Sequence, residues 1–90
     1  MEQNTKSARI DALMQMIAAI DNPEDCKEVF ADLCTAKELE NMAERYYAAK
    51  LLSEGKTYNQ VMELADISSA TLSRVSRCLQ YGKGYAKLLK

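Results

Sequence analysis

A chain of 90 residues with 48 % apolar side chains fits one domain, rich in aliphatic residues, Ala and Met with one Pro and three Gly, which is a helical composition. It has no histidine, and its three cysteines (Cys26, Cys34 and Cys78) lack C-x-x-C spacing, which argues against a zinc site and a disulfide framework and favours reduced, mostly buried thiols. The formal charge of -1 predicts no partner, but its distribution does: Glu2 to Asp66 holds all thirteen acids and seven Lys/Arg, a net -6, whereas Ile67 to Lys90 holds five cations and no acid.

The opening "MEQNTKS" has no basic segment leading into an apolar run, and "ALMQMIAAI" is about half the length needed to cross a bilayer. A soluble, cytoplasmic protein without membrane association is expected. Ile10, Leu13, Met14, Ile17 and Ile20 recur at helical spacing and predict a first amphipathic helix from about Ser7 to Ile20. "DNPED" breaks it and starts a second, with Asn22 as cap, Pro23 at the first helical position and Glu24 and Asp25 at its positive end; Cys26, Val29, Phe30 and Leu33 face inward. "TAKE" at 35–38 reads as a capping box, Thr35 with Glu38, opening a long third helix to about Ser53 that Gly55 terminates.

Along that third helix Leu39, Met42, Ala43 and Tyr46 share one side, while Tyr47, Leu51 and Leu52 widen the apolar surface. A helix apolar on most sides is buried on most sides. A monomer of this size buries only about 60 to 65 % of its unfolded surface, so a second subunit is the expected cover, with a tight monomeric bundle as the alternative.

A short fourth helix begins at Thr57 as N-cap, turns Val61, Leu64 and Ala65 inward, and ends near Asp66, a residue type that tolerates the left-handed backbone of a sharp turn. Ser68 or Ser69 then caps a fifth helix with Leu72, Val75 and Leu79 as its buried stripe. Gly82 and Gly84 interrupt the chain before a last basic turn or helix, Tyr85 to Lys90.

Two short helices joined by a turn of about four residues, the second small and polar at its start and cationic further on, have the layout of a helix-turn-helix, spanning about 57–79 within a single domain of residues 1–90. Ser68, Ser69, Ala70 and Ser73 are small enough for the start of a helix that enters the major groove of double-stranded DNA. Arg74 and Arg77 can reach phosphates or guanine edges, and Lys83 and Lys87 extend the basic surface. A solvated basic helix end is the plainer alternative.

At residues 33–82, "LCTAKELENMAERYYAAKLLSEGKTYNQVMELADISSATLSRVSRCLQYG" resembles the Trp repressor family, and more closely its YerC/YecD-type branch, most specifically in "LCTAKELE", "LLSEG" and "ISSATLSR". The resemblance implies an all-α, Trp repressor-like domain of about six helices, paired as an intertwined homodimer whose subunits each present one helix-turn-helix. It also carries over an effector site made of Thr35, Arg45, Thr71 and Arg74, and places Asn59 where the repressors use a base-reading arginine. One departure bears on the ligand: Val75 replaces a glycine that leaves room for the indole of tryptophan, and overpacking of that kind costs about 1 to 3 kcal/mol.

The expectation is a bacterial transcriptional regulator, a repressor, reading a pseudo-palindromic operator as a homodimer. It needs no metal or cofactor, and any effector is a small molecule other than tryptophan. Outside that resemblance, Thr35 would be a helix cap, Arg45 an ion-pair partner of Glu40 or Glu44, Thr71 a turn-facing residue and Arg74 a phosphate contact. A helical protein-interaction module is the competing reading. Catalysis is disfavoured: "GKT" at 55–57 lacks the earlier glycine of a phosphate-binding loop, which is here Lys50, and no strand precedes it.

Overall fold

The structure, a computed structural model, describes residues 5–89. Six helices follow one another: α1 (Lys6–Ala18), α2 (Pro23–Leu33), α3 (Ala36–Ser53), α4 (Tyr58–Ala65), α5 (Ser69–Tyr81) and α6 (Gly84–Leu89). Among the described residues no helix is long and apolar enough to cross a membrane. The chain divides into two compact units, one ending at Ala36 and the other starting at Lys37.

In the N-terminal unit the helix starts follow local chemistry. Thr5 Oγ1 accepts the Ala8 N–H at 3.0 Å, and Asn22 Oδ1 accepts the Asp25 N–H at 2.8 Å just ahead of Pro23. Glu24 and Asp25 then place negative charge at the positive end of α2. Packing is another matter: neither α1 nor α2 has a buried residue. Leu13, Ile17, Ile20, Cys26, Val29 and Phe30 are half-buried, whereas Ile10, Met14 and Leu33, expected to face inward, are about half exposed. Two short amphipathic helices do not have enough mutual surface to cover both apolar stripes.

The C-terminal unit holds the core. Ala48, Ala49 and Leu51 of α3 pack with Val61 and Ala65 of α4 and with Leu72 and Val75 of α5; Leu52, Met62, Ile67, Tyr85 and Leu89 close its margins. The two alanines are wholly buried within this cluster. Leu72 and Val61 are the largest side chains fully buried there, and full burial of such a side chain is worth about 1.5–3 kcal/mol. Leu64, expected inward, is exposed: the buried stripe of α4 centres on Val61 and Ala65, and Met62 rather than Leu64 completes its edge. Tyr46 and Tyr47 are also largely exposed. The three cysteines are free and half-buried rather than buried.

Each boundary in this unit has an identifiable stop or start. Gly55, at φ +94°, ends α3: the Lys56 N–H donates to Leu51 O at 3.1 Å and the Gly55 N–H to Leu52 O at 3.0 Å, the paired bonds of a Schellman motif. Thr57, expected as the N-cap of α4, forms a reciprocal capping box with Gln60. Gly82, at the end of α5, is demanded by space rather than by dihedral angle. A Cβ there would lie 2.6 Å from Cys78 O, closer than such atoms come.

Asp66 is the one non-glycine residue with positive φ among the described residues (φ 55°, ψ 48°), and it makes the turn between α4 and α5. Left-handed backbone costs an ordinary L-residue roughly 1–2 kcal/mol, and Asp less. Asp66→Gly is therefore expected to fold without loss of stability, whereas the β-branched Asp66→Val loses about 1–2 kcal/mol, measured as the difference in free energy of unfolding by urea. Equal stability of the two variants would show that the turn does not hold this conformation.

Candidate nucleic-acid interface

The α4–α5 segment is assembled by short-range hydrogen bonds. At its start Thr57 Oγ1 accepts the Gln60 N–H at 3.2 Å, and the Thr57 N–H donates to Gln60 Oε1 at 2.9 Å. At the turn the Asp66 N–H closes back on Met62 O at 3.1 Å. Ser68 then caps α5: its Oγ accepts the Thr71 N–H at 3.2 Å, and its hydroxyl donates to Thr71 Oγ1 at 3.1 Å. Ser68 is thus exposed but its hydroxyl is already engaged in holding the start of the helix.

Helix α5 has two contrasting sides. Leu72, Val75, Ser76 and Leu79 are buried, and they fix which way the rest must point. Ser69, Ala70, Ser73, Arg74 and Arg77 are all exposed, so the small residues at the leading end and both arginines share the outward side. Gln80 and Tyr81 lie on it as well. Neither is among the expected contacts, although the spacing of seven from Ser73 to Gln80 and of four from Arg77 to Tyr81 places them on this side. Asn59, the second residue of α4, is exposed, as are Lys83 just beyond Gly82 and Lys87 on α6. With no acid after Asp66, nothing on α5 or α6 cancels this positive charge.

Two of the residues grouped as an effector site share a cleft within the C-terminal unit. Arg45 and Thr71, both half-buried, line one polar cleft of about 240 Å³ between α3 and the α4–α5 turn, along with Asn41, Glu44, Asp66 and Ser68. Arg74 is instead on the outer side of α5, and Thr35 is exposed and belongs to the N-terminal unit. Val75 is 2 % exposed and forms part of the core, so its side chain occupies space that a glycine would leave open. Cys78 lines a separate apolar groove of about 480 Å³ with Tyr46, Tyr85, Leu88 and Leu89.

Comparison with known proteins points the same way as this geometry. Residues 8–90 match the family model of the Trp repressor protein. YerC, an uncharacterised protein of Bacillus subtilis (strain 168), is 39 % identical over 77 residues, which span 86 % of this chain and 74 % of YerC. Among solved structures, a candidate Trp repressor from Staphylococcus aureus superposes with a TM-score of 0.86 at 37 % identity, covering 91 % of this chain and 83 % of that one. A TrpR-like protein from Eubacterium eligens ATCC 27750 gives 0.84 at 33 % identity, covering 97 % and 89 %. Sequence similarity along nearly the whole chain and a shared six-helix fold agree, and the chain belongs to the Trp repressor protein family.

Proposed function

We propose that the protein is a cytoplasmic, sequence-specific DNA-binding regulator of transcription that represses by occupying a pseudo-palindromic operator as a homodimer. The observation that carries this reading is the outward side of α5, where small polar residues lead, Arg74 and Arg77 follow, and no acid interrupts. Ser69, Ala70 and Ser73 let the helix enter the major groove closely; Arg77 reads a base edge or a phosphate, and Arg74, Lys83 and Lys87 anchor the backbone. Asn59 contacts DNA from α4. Pairing of two subunits is supported by α1 and α2, which have no fully buried residue and leave Ile10, Met14, Met16 and Leu33 exposed. Their covered state is in a dimer, with half-sites about 34–36 Å apart.

Selection from random duplex DNA by the purified protein, without effector, is expected to enrich a palindrome. Four cations per subunit displace counterions, so affinity should fall by about 10³–10⁵ between 50 and 200 mM salt. Arg77→Glu should weaken binding at least about ten-fold without altering the melting temperature, because its side chain is exposed. Salt-independent binding, or intact DNA binding by Arg77→Glu, would leave the outer side of α5 to a protein partner instead. Sedimentation equilibrium should give about twice the chain mass of 10.1 kDa, and a monomer would remove the operator symmetry from the proposal.

Control by a small effector is compatible with the cleft at Arg45 and Thr71, but tryptophan is not the ligand expected. What supports this is Val75, buried in the core where the resemblance places a glycine that leaves room for the indole. Millimolar L-tryptophan should leave both the melting temperature and the DNA affinity unchanged. A rise in either would restore tryptophan as the effector.

A further inference from the structure

The outward side of α5 contains one row at intervals of four: Ser69, Ser73, Arg77 and Tyr81. All four are exposed, and Tyr81 is 82 % exposed. A large ring left almost wholly in water contributes nothing to the core, which lies on the opposite side of the helix at Leu72, Val75 and Leu79. Its surroundings are polar and cationic: Arg74 and Arg77 precede it on the same side, and Lys83 follows two residues later. At 1.5 Å per residue Tyr81 lies about 6 Å beyond Arg77 and about 18 Å beyond Ser69 along the axis. When the leading residues sit at the base edges, the trailing end of the helix lies out towards the sugar-phosphate strand.

We propose that Tyr81 contacts the DNA backbone at the outer edge of each half-site, with its hydroxyl donating to a phosphate oxygen, its ring against the adjoining deoxyribose, and Lys83 neutralising a neighbouring phosphate. This contact rests on the DNA-binding reading of α5 and extends its footprint. A phenol suits such a place, because its apolar body covers a sugar while its hydroxyl serves a phosphate. An apolar protein partner fits less well, since the rest of the row consists of two serines and an arginine.

The test compares Tyr81→Phe, Tyr81→Ala and Arg77→Glu with the parent chain. It uses a random-sequence duplex at low salt and, where selection yields one, the enriched duplex; a phosphate contact acts on both. Tyr81→Phe keeps the ring and should bind about three- to ten-fold more weakly, with Tyr81→Ala weaker still. The slope of affinity against salt should stay unchanged in both, because neither removes a charge. Hydroxyl-radical footprints should lose protection at the outer sugars and keep it at the centre. If both Tyr81 variants bind and protect like the parent while Arg77→Glu fails, the Tyr81 contact is refuted and the DNA reading survives. If Arg77→Glu also behaves like the parent, both fall.

Discussion

Close packing over two alanines governs the C-terminal unit. Ala48 and Ala49 are completely buried in the middle of α3, and the core residues of α4 and α5 gather against that short-chained strip. Larger residues there would push the neighbouring helices outward and break the contacts of Val61, Leu72 and Val75 together, because interiors at native density absorb little added volume. Since the inner side of α5 is set by Leu72, Val75 and Leu79, the direction of Arg74 and Arg77 follows from the same packing. The outer chemistry is thus aimed by the inner fit.

Much of this was legible in the sequence because it depends on neighbours a few residues apart. Asn22 with Pro23, Thr57, Asp66 and Ser68 each bring their own local reason for a start or a turn, and each occupies that place in the structure. The stripe on α5 was equally readable, since serines and arginines on one side leave little choice about the other. Burial in α1, α2 and α4 was less readable. Periodicity identifies which side of a helix is apolar but not how much of it a neighbour covers, and Leu33 and Leu64 are exposed for that reason.

The grouping of Thr35, Arg45, Thr71 and Arg74 rests on resemblance, and only Arg45 and Thr71 share a cleft within the C-terminal unit. Residue types can be carried across a family more readily than surroundings can. Val75 illustrates why: a change from hydrogen to an isopropyl group leaves the helix intact, yet it converts space into core. The outward side of the same helix meanwhile has cationic and small polar residues.

The close approach at Gly82 has a consequence for how the chain tolerates mutation. The residue is exposed, and its φ of -79° is one that any residue adopts, so by surface position and dihedral angle alone it looks free to vary. Yet every replacement brings a Cβ, and that atom would meet a backbone oxygen, which cannot swing aside as a side chain can. Replacement at this surface position therefore requires the backbone at the end of α5 to shift, as a replacement in an interior one would. A residue with a side chain is accommodated here only together with a compensating shift in the last turn of α5.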